Sequence, residues 1–424
     1  MTAGPERSLS AVHSNPSPSP GAESAPAESS ISWRERAAAV IPGGASTGSK
    51  RSDALYGPGA VGPTHFRRAS GCRLTTVDGQ ELVDCTMALG AVAFGYADPD
   101  VTDAVLAAAR DGHVAGLSHV MEVTVAEQLR AQVPFAEQVR FLKTGAEAVA
   151  AAVRIARTHT GRAHVLGSGY FGWLDWNSDA AGVPSGTRQA FGRIPFGDVA
   201  AAERAVSEAG EDLAAVVIEP VIERAAPADW LRALRDLCSS SGAVLIADEI
   251  KTGFRVHPAG GVAASGVEPD LAVYGKALAN GYPLSAVVGR GAIMRAAERT
   301  WISSTLASEG TALAAASVVL ARHASDDVCG RLAAIGGAMR EGVRRALVAS
   351  NASDVELLGL APMWFLRFAD GHREMHVLST VRRAGVLLKR GAYNFAALAH
   401  DHDAIDAVER TLTLALRQEY DPGA

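Results

Sequence analysis

From Trp33 onward the chain alternates short apolar runs, turn residues and longer amphipathic stretches, the pattern of an α/β protein. Five runs read as strands: VRFLKT (139–144), RAHVLGS (162–168), AAVVIEP (214–220), AVLIADE (243–249) and LAVYGK (271–276). Ala-rich segments with a helical period lie between the last three, and 228–241 is the clearest of them. Glu219, Asp248 and Lys276 then recur 29 and 28 residues apart, about one βαβ unit each time, which places all three at or near strand carboxyl ends. In an open α/β sheet that edge is where ligands bind.

The stretch 96–324 reads as one large domain. The flanks 31–95, with a hairpin at Asp78-Gly79, and 325–424 read as α+β segments that join in a smaller domain. Residues 1–30 are rich in Ser, Pro, Ala and Gly and poor in large apolar residues, so a disordered tail is expected there.

Composition narrows the function classes. The chain has 424 residues, 48% of them hydrophobic and 20% charged, enough for a large core. No apolar run is long enough to span a membrane and no export signal is visible, so a cytoplasmic protein with no membrane partner is expected. A net charge of −6 without a sustained basic stripe argues against nucleic acid as a partner. Cys72, Cys85, Cys238 and Cys329 form no CxxC pair, which fits reduced thiols and no zinc site. His400 and His402 would point apart on a helix, giving surface or capping roles and no metal site.

A strand-end lysine and a strand-end aspartate suggest a particular chemistry. Lysine is seldom buried unpaired, so Lys276 either escapes to solvent or is held inside for use. Partial burial favours its neutral amine, which forms a Schiff base with an aldehyde cofactor. A buried Asp248 can keep a pyridine nitrogen protonated and electron-withdrawing. The alternative is a structural ion pair between neighbouring strands. In FLKTGAEAVAAAVRIARTHTGR (141–162) the strand stops at Lys143, Thr144 can cap, and Gly145 allows close backbone approach at a helix start, a site for phosphate or simply a capped turn. GSGYFGWLDWNSD (167–179) sets Tyr170 where it can stack on a planar ring, with Trp173 and Trp176 as pocket walls.

Taken with IPGGASTGSK, VDGQELVDC, GYADPDV, YFGWLDW, LIADEIKTGFR, GVEPDLAVYGKALANGYPLSAVVGR and SSTLASEGTALAAA, these blocks make the chain resemble the class III (fold type I) aminotransferases that depend on pyridoxal phosphate. The resemblance runs from about Trp33 to the C-terminus, and is nearest to the branch holding glutamate-1-semialdehyde aminomutase and its aminotransferase relatives. It implies a large domain with a mostly parallel seven-stranded sheet plus a smaller α+β domain. It implies Lys276 as the Schiff-base lysine and proton carrier, Asp248 on the pyridine nitrogen, Ile250 on one ring face and Tyr170 on the other. Thr144, Gly145 and Ala146 would form the phosphate cradle, Glu219 would lie near the cofactor, and Thr305 would reach the phosphate of the partner subunit in a homodimer with shared active sites.

Departures from the family pattern bear on substrate. Ala146 stands where a phosphate-binding Ser or Thr is common, and Phe171 replaces a histidine and its hydrogen bond. Lys50 stands where the aminomutase sets an arginine against the substrate carboxylate, giving a point charge in place of a bidentate fork, unless it is simply a surface residue. Leu89 takes the place of an aromatic near the substrate, Trp173 lies at the mouth, and two tryptophans occupy what is a glycine-rich gating loop in the aminomutase. The leading expectation is therefore an aminotransferase passing an amino group from a donor amine to a small oxo acceptor less polar or bulkier than glutamate semialdehyde, as in secondary metabolism. An isomerase on the same scaffold, aminomutase or epimerase, and a non-catalytic binding protein of this fold are the alternatives.

Overall fold

The computed structural model describes residues 29–59 and 62–418. The tail expected over 1–30 lies outside the described residues except for its last two, and there Ser29 caps a helix, Ser30–Val40, by accepting from the Ser32 N–H.

The centre is a seven-stranded sheet in the order Gln138–Leu142, Ser285–Gly289, Leu271–Tyr274, Val244–Asp248, Leu213–Ile218, His164–Ser168, Phe191–Arg193. Only Ser285–Gly289 runs antiparallel to its neighbours. Successive side chains alternate between the two faces. Leu142, Val165, Val217, Ile246 and Val273 pack under the Ala-rich helix Gly145–Thr160. Phe141, Leu166, Val216, Leu245 and Ala272 join the core on the opposite face, which includes residues of helices Pro99–Asp111, Ala228–Ser241 and Gly310–Ser325. The five strands read from the sequence are all present, each one or two residues shorter, and the helix at 228–241 has the expected bounds.

The two flanks meet directly. Glu81–Asp84, second strand of the hairpin at Gly79, pairs in parallel with Val386–Leu387, so chain from both ends shares one small sheet. A common core follows, in which Val83, Met87 and Val92 pack with Met339, Trp364, Val381 and Leu412. His400 departs from its expected surface or capping role. It is buried, its Nδ1 accepts from the Ala397 N–H and its Nε2 lies 3.1 Å from the Asp84 carbonyl oxygen, because the chain turns inward there to close on the hairpin. His402 does stay exposed, beside Asp406.

Arg255 locks this flank to the large sheet. It is fully buried, yet its partners are all main-chain carbonyls: Ala396 (2.6 Å), Gly90 (3.1 Å), Val92 (3.1 Å) and Pro362 (3.4 Å). Burial lowers its pKa to about 10, so the guanidinium stays charged at neutral pH. The segment it grips is strained: Met87, Ala88 and Leu89 have φ of 42°, 50° and 59°, a left-handed turn completed by Gly90. Asn280 holds the next residues, accepting from the N–H groups of Ala93 and Phe94 and donating to the Gly95 carbonyl. The Arg255→Met variant would leave the carbonyls of Gly90, Val92 and Ala396 without this donor in the core, while Pro362 keeps the Ala396 N–H. It should lower unfolding stability by more than about 3 kcal/mol in urea titrations, since each orphaned buried group costs about 1–3 kcal/mol.

Candidate active site

The parallel strands stop together on one edge, and the residues just past their ends line a cavity of about 370 Å³. Lys143, Thr144, Gly145 and Ala146 come from the end of Gln138–Leu142; Tyr170, Phe171 and Trp173 follow His164–Ser168; Glu219 follows Leu213–Ile218. Asp248 ends its own strand, Ile250 and Lys251 follow it, and Lys276 sits two residues beyond Tyr274. Register fixes the central pair of elements: Asp248 lies opposite Val273 on the parallel neighbour that delivers Lys276.

Lys276 enters the cavity from a backbone with φ of 46°, an uncommon conformation for a side chain of this size. Strain of this kind, of order 1–3 kcal/mol, persists only where the surroundings enforce it. Here the short turn Lys276–Ala279 does so, anchored through Asn280. Burial first, and Lys251 second, press the Lys276 pKa down to about 8, against the pull of Glu219 and Asp248. Asp248 is displaced oppositely: burial and then Glu219 push it up to about 8. Its carboxylate accepts one hydrogen bond among the described residues, from the Ile250 N–H at 3.1 Å, and has no ion pair there. A buried carboxyl so sparsely matched suits a ligand that brings its own N–H cation.

The helix start is equally selective. Thr144 and Glu147 form a capping box, with Thr144 Oγ1 accepting from the Glu147 N–H and Glu147 Oε2 from the Thr144 N–H. The Ala148 N–H goes to the Thr144 carbonyl. Among the described residues this leaves the N–H groups of Gly145 and Ala146 without acceptors at the positive end of a 16-residue helix, an arrangement suited to phosphate. Ile250 packs directly on Gly145: a Cβ there would lie 2.5 Å from Ile250 Cδ1 and push that side chain aside. Gly172 sits so close over Ala146 that its own Cβ would come within 2.3 Å of that methyl group. Residues, cradle and charge all fit pyridoxal phosphate.

Phe171, in place of the family histidine, is buried against Trp176 and Phe191. Tyr170 and Trp173 are 71% and 73% exposed at the mouth. Four residues singled out from the sequence lie outside the cavity lining: Lys50 is exposed on the turn Gly48–Lys50, Leu89 belongs to the left-handed turn that leads to the lining residue Ala91, Thr305 is exposed on a separate cleft, and Trp176, expected as a pocket wall, packs instead behind Phe171 against Phe191. Two lysines in the wall were not nominated. Lys143 pairs with Glu309 at 2.8 Å, and Lys251 with Glu219 at 2.9 Å. Glu309 is held at about 2 by Lys143 and by the Thr311 and Ala312 donors, which outweigh the burial that would raise it. Lys251 was in plain view, three residues after Asp248 in DEIK.

The model of the family described as class-III aminotransferase matches residues 57–172 and 197–406. The chain is 35% identical over 342 residues to glutamate-1-semialdehyde 2,1-aminomutase of Myxococcus xanthus, covering 76% of this chain and 78% of that protein. It is 33% identical over 361 residues to 2'-deamino-2'-hydroxyneamine transaminase of Streptomyces kanamyceticus, covering 84% and 91%. Among solved structures, the FumI protein of Sphingopyxis sp. MTA144 in its pyridoxal phosphate internal aldimine form superposes with a TM-score of 0.87, at 28% identity, over 91% of this chain and 95% of that one. With a matched family model over most of its length and a cavity built for the cofactor, the chain belongs to the class-III aminotransferases and is a fold type I, pyridoxal-phosphate-dependent aminotransferase.

Proposed function

We propose that the enzyme takes an amino group from a small donor amine and gives it to an oxo acceptor bulkier or less polar than glutamate semialdehyde, with Lys276, Asp248 and the helix start at 145–146 as its machinery. The observation that carries this assignment of roles is the convergence, in one buried cavity, of a low-pKa amine, a carboxyl without an ion pair and two helix N–H groups without acceptors.

When bound, pyridoxal phosphate supplies an aldehyde carbon and an electron-withdrawing ring. The N–H groups of Gly145 and Ala146 would take its phosphate, and Ile250 would bear on the ring beside Asp248. Asp248, ionised by a cationic ring nitrogen, would hold that nitrogen's proton in place. Lys276 acts through its free amine, as nucleophile first and then as the base and acid that move a proton at the substrate carbon. The exposed aromatics Tyr170 and Trp173 at the mouth support an acceptor with apolar surface.

A homodimer with shared sites is part of the proposal. Leu117, Val120, Val123, Trp301 and Leu306 are exposed apolar side chains on or beside the segments that border three clefts. So much apolar surface supports an interface, and Thr305 lies among these segments, outside its own chain's cavity, where it is free to serve a partner. The buried, unpaired state of all four cysteines fits a reducing, cytoplasmic setting. Among the described residues no helix is long and apolar enough to cross a membrane.

One donor amine mixed with loaded enzyme in the absence of acceptor should give a single stoichiometric turnover to the pyridoxamine form of the cofactor, read by absorbance. Continuous product with the cofactor restored would mark an isomerase instead. Lys276→Ala should reduce turnover by about 10³-fold or more, and Asp248→Asn by roughly 10²–10³-fold with the cofactor still bound. Cofactor uptake by stripped protein should quicken as pH rises through about 8, because only the deprotonated Lys276 attacks the aldehyde; stopped-flow absorbance measures it. Trp301→Glu should convert dimer to monomer in light scattering and release cofactor.

A further inference from the structure

Lys251 has no part in the roles assigned above, although its charge lies inside the reaction cavity. Its ammonium is 2.9 Å from Glu219 Oε1, and the two side chains are 13% and 11% exposed. The same ammonium sits 4.8 Å from the ring centroid of Tyr393, a residue of the C-terminal flank whose hydroxyl accepts from the Glu223 N–H at 2.6 Å. Glu219 is held from its other side as well, since Oε2 accepts from the Tyr170 N–H at 2.9 Å. Lys251 is thus fixed by a carboxylate on one strand end and an aromatic face from the opposite flank, in the wall that also carries Asp248 and Lys276.

We propose that Lys251 is a positioning residue for the reaction: paired to Glu219 and seated on Tyr393 in the wall it shares with Lys276, its charge weakens proton binding by the Lys276 amine and so enlarges the proton-free, nucleophilic fraction. A like charge disfavours a second ammonium in a poorly solvated cavity, while an anion favours it. Every charged neighbour of Lys276 takes one of those sides. Lys251 is the strongest depressing influence after burial, with Arg255 a weaker one, while Glu219 and Asp248 oppose them. The other titratable groups of the wall are Lys143, tied to Glu309, and the phenols Tyr170 and Tyr282. Glu219 and Lys251 therefore act as a balanced pair whose halves pull Lys276 in opposite directions. Removing the lysine alone leaves Glu219 as an unpaired anion, which strengthens proton binding by Lys276 and, through the same carboxylate, by Asp248.

A substrate anchor is the rival role for a cavity lysine. Against it stands the geometry, because the ammonium is already engaged by Glu219 and by the Tyr393 face, and a substrate carboxylate would have to displace the former.

The inference rests on the aminotransferase reading, and its test separates the two. In full-length holoenzyme, the absorbance of bound cofactor is titrated from pH 5 to 10 for the wild type, K251M, K251R and E219Q. The midpoint should rise by about one pH unit in K251M, return to within a few tenths in K251R, and fall in E219Q. In the full chain stripped of cofactor, the pH dependence of Lys276 acetylation by acetic anhydride, followed by mass spectrometry, should move the same way from a wild-type midpoint near 8. Should K251M be poorly folded, the charge-balanced pair K251M/E219Q replaces it, with a midpoint near wild type expected. A K251M midpoint that is unmoved or lowered, a double variant as displaced as K251M, or a change confined to KM for carboxylate-bearing donors would each overturn the proposal. Failure to take up pyridoxal phosphate at all would sink the cofactor assignment while acetylation still decided the role of Lys251.

Discussion

An amine and a carboxyl buried in one cavity, each displaced toward its neutral form, set the terms for the rest of this molecule. Neither Lys276 nor Asp248 is solvated enough to keep its ordinary proton affinity, so the surroundings must hold both in place, and among the described residues no ion pair does it. Backbone does most of that holding. The parallel register of Val244–Asp248 with Leu271–Tyr274 brings the two side chains to one edge, and the strained turn at Lys276 aims the amine. Asn280 then ties this turn to residues 93–95, and Arg255 ties residues 90 and 92 to the C-terminal flank. The left-handed turn Met87–Gly90 survives because two buried side chains grip its exit, and that turn in turn seats Ala91 in the cavity wall.

The same economy of polar groups governs the phosphate end. A side chain at residue 172 would collide with the Ala146 methyl, so glycine there lets the aromatic loop pass close over the helix start. Phe171 beside it packs with Trp176 and Phe191, apolar surroundings in which a histidine would need a partner. An anion there would be held by two N–H groups and the helix end, an attraction that grows as a site loses water.

What the sequence revealed, it revealed through period and spacing. Strands buried on both faces write themselves as unbroken apolar runs, and a 28- to 29-residue rhythm carries the βαβ order, so the edge holding Glu219, Asp248 and Lys276 was legible. The seven-stranded sheet and the pyridoxal phosphate fold followed from the resemblance. Three-dimensional neighbours across domains were not legible. Nothing in MALG announces three left-handed residues, since only Gly90 has the usual signature, and nothing near position 251 announces Tyr393, which is 142 residues away in the chain. His400 read as peripheral for the same reason, its partners lying at residue 84 and at a local turn. Lys50 and Leu89 were chosen by correspondence with relatives; in this chain one is exposed and the other sits behind the wall that Ala91 forms.

Deep and shallow parts of the cavity therefore answer to different constraints. At depth, the groups suited to the cofactor are few and mutually dependent, so a change at any of them disturbs the proton balance of the others. Toward the mouth, Tyr170 and Trp173 are mostly exposed on a glycine-punctuated loop that is held inward by the buried Phe171 between them and by the hydrogen bond from the Tyr170 N–H to Glu219. That bond joins the two regions: the carboxylate that orients the mouth loop is the one that balances Lys251. Glu219 is thus shared between the mouth loop, through the Tyr170 N–H, and the ammonium of Lys251 beside Lys276.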